Sequence, residues 1–483
     1  MAAPPPPAAT SSADAPLLAD VPAVADASMS GRVPTGVVLT PLTADPVPGT
    51  LRRLAIPLMY GALAILGFNV VDTFFVGQIS AEALAAVAFT FPVVFAVMSL
   101  GRGMGIGSSA VISRAIGAGD RERARVLTTA SLLLATALVV VVAGIGLLTI
   151  DPLFMALGAD PEHLALIHEY MEIWYFGVGF VVVPMVGNAA IRATGDTRTP
   201  SRVMITAAVA NIVLDPLLIF GLGPIPALGI AGAALATALS YVITFAAALW
   251  ILSSRERMLV RPPLRELPAA WRAIIGIGGP AALTATLAPI ATGWLTYLAA
   301  TIDGDVVAAF GVVGRVEALA MIGVMGLSGV ITPFMGQNLG AGLHRRIRAG
   351  YRYSLRFAIV WGLGAAALLA LTAPWIAAAF TDDPEVTRHI TNLLRIAPIS
   401  YGFAALVPVS ASAANGLGRP LEATLLAVFR LLISVGLIAW LGASLFGAPG
   451  FYVAIAFGNL AAGAFAWLRV RQQVARCGAR HPD

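Results

Sequence analysis

One apolar run of the sequence reads Val203-Met-Ile-Thr-Ala-Ala-Val-Ala-Asn211-Ile-Val-Leu-Asp215-Pro216-Leu-Leu-Ile-Phe-Gly-Leu222 and carries a single ionisable side chain, that of Asp215. About 20 apolar residues cross roughly 30 Å of hydrocarbon as a helix, and this run is that long. An acid at such depth costs about 2.5–3.5 kcal/mol on insertion scales, so it usually marks a functional site. Asp72, in the first apolar run, is its candidate partner.

The composition is that of a membrane protein. The 483 residues are 58% hydrophobic and 11% charged, and the mean hydropathy is +0.87. Soluble domains carry about 25% charged residues. The net charge of +5 does not indicate a nucleic-acid binder, because the basic residues fall in short loops between apolar runs. The lone Cys477 excludes an intramolecular disulfide and argues against a cysteine metal site. The five histidines show no metal-ligand spacing, and neither a metal nor an organic cofactor is predicted.

The apolar runs predict an all-α polytopic protein with about twelve transmembrane helices. The predicted spans are residues 52–76, 84–112, 126–149, 166–190, 201–222, 229–252, 272–298, 305–336, 352–375, 390–413, 421–444 and 450–468. Arginines follow the even-numbered spans, whereas aspartates and glutamates follow several odd-numbered ones. By the positive-inside rule, both termini are expected in the cytoplasm, here of a bacterial inner membrane.

An internal repeat relates the two halves of the chain. Gly117-Ala-Gly119 followed by arginines resembles Gly340-Ala-Gly342 followed by arginines, at an offset of 340 − 117 = 223. A second pair of loops, ending at Pro200 and Pro420, gives 420 − 200 = 220. Both pairs lie on the predicted cytoplasmic side, so the repeat is parallel, with an axis along the membrane normal. This arrangement is typical of transporters that bind substrate between two lobes.

The repeat divides the chain into predicted regions. Residues 1–48 are Pro/Ala-rich and are expected to be a disordered cytoplasmic tail. A first six-helix lobe with the cation site is expected over 49–255, a cytoplasmic linker over 256–270, a second six-helix lobe over 271–470 and a short cytoplasmic tail over 471–483.

A set of short motifs, in this order and spacing, resembles the MATE (multidrug and toxic compound extrusion) exporters. The motifs are Val71-Asp72-Thr73-Phe74-Phe75-Val76-Gly77, Gly117-Ala-Gly119-Asp120, Arg192-Ala-Thr-Gly195-Asp196, Asn211 with Asp215-Pro216, Gly229-Ile-Ala-Gly232 through Thr237, and Gly336-Gln337-Asn338 through Gly342. The resemblance implies a two-lobe antiporter, not an enzyme, that exports organic cations and other drugs against inward H⁺ or Na⁺. It implies a cation site in the first lobe at Asp72, Asn211, Asp215 and Thr237.

The resemblance also implies a branch of the MATE family and a set of binding partners. NorM-like members have an additional acid in the seventh span, and the stretch Ala282–Pro289 has none. The chain is therefore expected to be nearer the DinF-like branch, which favours H⁺ over Na⁺. The expected partners are cationic amphipathic small molecules and the lipid bilayer, with no nucleic acid, and the expected state is a monomer.

The residues themselves support an ion site. Asn211 and Asp215 are i and i+4, so they share a helix face. Pro216 lacks an N–H and presses on the carbonyl of Ile212, which leaves oxygens free for a cation or water. Two carboxylates close together in a low dielectric cannot both ionise cheaply, so Asp72 and Asp215 are expected to share a proton or bind Na⁺.

The second half provides an internal control. By the repeat offsets, Asp72 corresponds to Leu295, Asn211 to Leu431 and Asp215 to Val435. Acids needed only for folding would be expected in both halves, so this asymmetry predicts ion coupling in the first half. The alternative interpretation is that Asn211 and Asp215 are polar groups that hold helices together.

Three further charges lie within second-half spans: Arg315, Glu317 and Arg430. Arg315 and Glu317 are i and i+2 and so face apart. Glu317 and Arg430 lie at similar predicted depths and could form an ion pair, structural or gate-closing rather than substrate-binding. Two other functions stay open: a lipid-linked precursor flippase, which would need a basic central cavity, and a membrane enzyme, for which no catalytic cluster is seen.

Overall fold

The computed structural model describes residues 40–221 and 224–479, which form long helices joined by short loops. Most of the predicted amino-terminal tail, residues 1–39, lies outside the described residues, whereas residues 471–479 of the predicted carboxyl-terminal tail continue the last helix. The first half contains α1 (Val47–Gly77), α2 (Ala81–Gly117), α3 (Arg121–Leu148), α4 (Pro161–Thr194), α5 (Arg198–Ile219) and α6 (Gly229–Arg255). The second half contains α7 (Leu264–Ile302), α8 (Gly304–Ala320 with Ile322–Gly340), α9 (His344–Phe380) and α10 (Pro384–Gly416), and then α11 and α12, the two arms of Pro420–Cys477.

The number of spans agrees with the prediction. Among the described residues, ten helices are long and apolar enough to cross a membrane, and α8, bent by 50°, makes eleven. The last of the ten is interrupted at Gly447, where φ is 60° and ψ is −143°. Its arms fold back on each other, since a Cβ on Gly442 would lie 2.5 Å from the carbonyl oxygen of Gly450. Counting the arms separately gives the predicted twelve.

The first helix of each half begins within the core of the other half. Leu51 at the start of α1 is fully buried in a core built by α8, α9 and α10 of the second half. Ile274 at the start of α7 is fully buried in a core built by α2, α3 and α4 of the first half. The two positions are related by the repeat, since 274 − 51 = 223. The parallel repeat predicted from the loops is thus present in the packing.

The halves meet where α2 and α8 end, on the side we call the arginine-rich side because arginine-bearing loops follow α2, α4, α8 and α10 there. Ser113 and Gly117 of α2 face Gly336 and Gly340 of α8, and small residues four apart let helix backbones approach closely. A Cβ on Gly117 would lie 2.0 Å from the carbonyl oxygen of Gln337, and one on Gly340 would lie 2.1 Å from that of Arg114. The bundle is closed at this level.

Residues 40–48 differ from the predicted disorder. Thr40 begins the short helix Pro41–Ala44, and Leu42 is fully buried. Asn338 Nδ2 and Arg346 Nη2 each donate to the Leu42 carbonyl at 3.1 Å, and Thr40 Oγ1 donates to Gln337 Oε1 at 2.5 Å. Leu42 anchors this segment where the halves meet. In the sequence, its Pro/Ala-rich surroundings gave no indication that it would be buried.

The connection predicted as a linker over 256–270 is docked rather than free. Val260 N donates to Thr129 Oγ1 at 3.1 Å, and Arg123 pairs with Glu266 at 3.5 Å. Met258 is buried against the first half. The last part of the predicted linker is already helical, because α7 begins with a 3-10 turn at Leu264–Glu266.

Candidate functional site

Three of the four residues expected at the cation site form one hydrogen-bonded group. Asn211 and Asp215 lie on one face of α5 and are buried, at 1% and 0% exposure. Asn211 Nδ2 donates to Asp215 Oδ1 at 3.3 Å and to Thr237 Oγ1 of α6 at 3.4 Å. The i, i+4 spacing in the sequence therefore produces the side-chain contact that it predicted.

Asp72 completes the group from α1. It is partly exposed and lies within electrostatic range of Asp215. Two tyrosines lie beside the acids: Tyr170 of α4 is within range of both carboxylates, and Tyr241 of α6 is within range of Asp72. Neither tyrosine was predicted from the sequence. Their hydroxyl groups, which are polar groups within apolar spans, could have indicated from the sequence that they belong to a polar site.

The site has acceptor oxygens that lack donors among the described residues. Asn211 Oδ1 and Asp215 Oδ2 are buried, and neither has a hydrogen-bond partner within residues 40–221 and 224–479. An amide oxygen accepts only, so it needs a donor or a cation. Buried polar atoms are rarely left unpaired without a functional reason. The two oxygens therefore fit a small cation or an acidic proton.

Nothing in the described ranges neutralises these acids with a fixed positive charge. Neither Asp72 nor Asp215 is within ion-pair distance of an arginine or histidine there. The described residues also contain no group of three or more His, Cys, Asp or Glu side chains that could hold a metal. The chemistry available is that of hard oxygen donors, which suits H⁺ or Na⁺ rather than a transition metal.

The charges of the second half are arranged differently. Glu317 of α8 interacts electrostatically with Arg430 of α11 and lies beside the Tyr401 hydroxyl of α10. The predicted approach of Glu317 and Arg430 is therefore present, although they do not form a direct ion pair. Arg315 is exposed on another face of α8, as its spacing from Glu317 predicted.

A further arginine, not predicted from the sequence, lies on the face of α2 that meets the second half. Arg102 is eleven residues before Ser113, which is about three helical turns, so both lie on one face of α2. Ser113 meets Gly336 of the second half, and Arg102 lies about 16 Å further from the arginine-rich side. Its guanidinium carbon is 5.7 Å from the centre of the Phe95 ring.

Arg102 is exposed and forms no ion pair with a residue of the described ranges 40–221 and 224–479. An unpaired arginine facing lipid at this depth would be costly, so intramembrane arginines usually face a bundle interior or a water-filled cavity. Arg102, Phe95 and the exposed Phe91 one further turn along therefore share the face of α2 that Ser113 presents to the second half. The three side chains lie beyond the closure of α2 against α8.

Comparison with known proteins fits this architecture. The MatE family model matches residues 57–217 and 280–440. The chain belongs to the MATE family of transporters. The two matched segments begin 280 − 57 = 223 residues apart, which confirms the repeat offset read from the sequence. The prediction that the chain is a transporter and not an enzyme is thus confirmed. Its assignment to the DinF-like branch stays a prediction.

Relatives of this MATE transporter differ in the substrates their names give. It is 38% identical to the FAD transporter of Shewanella oneidensis over 87% of this chain and 94% of that protein. It is 25% identical to the multidrug export protein MepA of Staphylococcus aureus over 84% and 89%. The bent form of the Vibrio cholerae MATE transporter VcmN superposes with a TM-score of 0.85 at 30% identity, over 90% and 98%.

Proposed function

We propose that this MATE transporter exports an anionic flavin dinucleotide of the FAD type by alternating access, driven by inward H⁺ or Na⁺. The observation that carries the substrate assignment is Arg102, which has no ion-pair partner among the described residues and lies beside Phe95, on the wall of a proposed substrate cleft between the halves. A guanidinium matches the geometry of phosphate oxygens, and aromatic rings stack on flat ring systems. FAD offers both a pyrophosphate and a flavin ring. The 38% identity to an FAD transporter supports the same assignment.

The proposed coupling residues are Asp72, Asn211, Asp215 and Thr237. Support comes from the two buried oxygens without donors and from the absence of a neutralising arginine beside the acids in the described residues. A cation bound there is driven inward by the membrane potential, which contributes about 2.3 kcal/mol per charge at 100 mV. In the proposal, both termini and the arginine-rich side are cytoplasmic, the membrane is a bacterial inner membrane, and the transporter acts as a monomer.

The test is FAD transport by the purified transporter in proteoliposomes, with H⁺ and Na⁺ gradients imposed separately. Arg102→Gln is expected to lower transport about 10- to 150-fold, because a hydrogen bond to a charged group contributes about 1.5–3 kcal/mol. Arg102→Lys should be intermediate, because it keeps the charge but loses the bidentate fork. Arg265→Gln, at an exposed arginine of the connection between the halves, is the matched control.

The second candidate is the predicted export of organic cations, and the acids of the first half favour it. MepA, 25% identical, is named as a multidrug export protein. Ethidium transport in the same vesicles separates the two, since Arg102→Gln should leave or increase transport of a cation. Ethidium transport without FAD transport by the wild type would reject the flavin assignment. Transport of neither would favour the lipid-linked precursor flippase.

A further inference from the structure

A second basic site lies away from the coupling residues and the proposed substrate cleft. On the arginine-rich side, a groove of about 310 Å³ separates the start of α1 from the first turns of α9. Its lining consists of Val47, Pro48, Ala349, Arg352, Tyr353 and Arg356. The groove joins the two halves, because α1 belongs to the first and α9 to the second.

Arg352 and Arg356 place two positive charges in this groove, and no described acidic side chain forms an ion pair with either of them. They are i and i+4, so they share a helix face one turn apart, and like charges at that spacing repel. Both side chains are exposed, and neither forms an ion pair with the part of the chain that the structure describes. The pair therefore favours an anion between them.

The position of the pair along α9 matches the headgroup layer of a membrane. From Arg356 to Trp375 there are 19 residues, about 29 Å of helix, and none of the residues between them is charged. That length is close to the roughly 30 Å of bilayer hydrocarbon. Trp375 is 71% exposed, as expected for a tryptophan at a membrane interface. Arg356 then lies at the opposite interface, and Arg352 one turn further into the headgroups.

The surface beside the pair is suited to a lipid chain. Val360 and Leu363 follow Arg356 by four and seven residues, so they continue its face. Their side chains are 70% and 55% exposed. A soluble anion would use the arginines but would gain nothing from this apolar continuation.

We propose that the groove binds the phosphate of an anionic phospholipid, with Arg352 and Arg356 donating to it and an acyl chain lying along Val360 and Leu363. Basic pockets between transmembrane helices on the cytoplasmic side are known to bind such headgroups. The bound lipid contacts α1 and α9 together and so bridges the two halves beside the anchored Leu42 segment.

The experiment measures binding of phosphatidylglycerol to the full-length transporter in nanodiscs, by native mass spectrometry and by thermal denaturation. The wild type should retain phosphatidylglycerol in preference to phosphatidylcholine and should unfold at a higher temperature when it is present. Arg352→Gln with Arg356→Gln should weaken binding about 30-fold, since each arginine near a charged surface contributes about a factor of five. Arg352→Lys with Arg356→Lys should bind nearly as the wild type does.

Arg261→Gln with Arg265→Gln, two exposed arginines of the connection between the halves, is the control for a general loss of positive charge. Equal retention of the two lipids by the wild type would overturn the proposal. So would unchanged retention by the Arg352/Arg356 glutamine variant, or an equal loss in the control variant. Full displacement of the lipid by soluble glycerol phosphate would show a site for free anions and would reject the lipid assignment.

Discussion

In the first half, Asp215 and Asn211 lie buried beside Thr237, whereas the equivalent positions of the second half hold Val435 and Leu431. Val435 is buried as Asp215 is, at 7% exposure. The fold thus accepts an apolar side chain at this point of the helix. The acid in the first half is not required by the packing of the repeat, which supports a role in ion coupling.

Helical hydrogen bonding changes at equivalent positions of the two halves, by different means. In α5, Pro216 lacks an N–H three residues before the helix ends at Ile219. In α11, residues Arg430–Ile438 form a π-helix, a wider turn that is often found at functional sites. The irregularity is therefore common to the repeat, whereas the acid is not.

Charge compensation is the other difference. The acids of the first half have no arginine beside them among the described residues, whereas the charge of Glu317 in the second half is partly offset by its electrostatic interaction with Arg430. A site with uncompensated acids can gain and lose a cation as the transporter opens to each side. A compensated acid gains little from binding one. The comparison therefore predicts that only the first half responds to the ion gradient.

The largest effect is expected when Asp215 is replaced by the residue found at the equivalent position of the second half, Val435. Asp215→Val should reduce gradient-driven transport to background while the protein folds, because Val435 shows that valine fits this environment. The measurement is substrate flux in proteoliposomes with and without an ion gradient, after thermal denaturation has confirmed folding. Val435→Ala is the matched control and should keep gradient-driven transport. Full coupling in Asp215→Val would place the ion site elsewhere.

The second largest effect is expected at two glycines that are equivalent in the two halves. Gly117→Ala and Gly340→Ala, related by the repeat, each put a Cβ about 2 Å from a carbonyl oxygen of the other half. Overpacking of this kind costs about 1–3 kcal/mol, so each should lower the population closed on the arginine-rich side about 5- to 150-fold. Thiol labelling of cysteines introduced near Gln337 measures that closure.

Gly144→Ala is the control for this pair, because a Cβ there meets nothing within 4 Å. The two interface variants should have similar effects, since the contacts are symmetric. An effect confined to one of them would mean that the closure is not shared between the halves, and the symmetry would then hold for the fold alone.

How much of this was predictable from the sequence depends on the range of the interactions. The spacing of Asn211 and Asp215 is local, so it fixed their contact, and the loop repeats fixed the offset of 223. Tyr170, Tyr241 and Arg102 were not predicted, because each belongs to a site only through packing between separate helices. The burial of Leu42 was missed for a similar reason, since its partners Asn338 and Arg346 lie about 300 residues away.

The smallest expected effect concerns the compensated acid. Glu317→Gln and Arg430→Gln should each destabilise the transporter, because each removes the nearby opposite charge that partly offsets the burial of the other, whereas the double variant should recover part of the loss. Groups in one such network usually couple by about 0.5–3 kcal/mol. Thermal denaturation of the four proteins gives the coupling, and ion-dependent transport by the double variant gives the function. Retained ion dependence would mean that the pair holds α8 and α11 together. Lost ion dependence would show that the second half takes part in coupling and that the contrast between the halves is only structural.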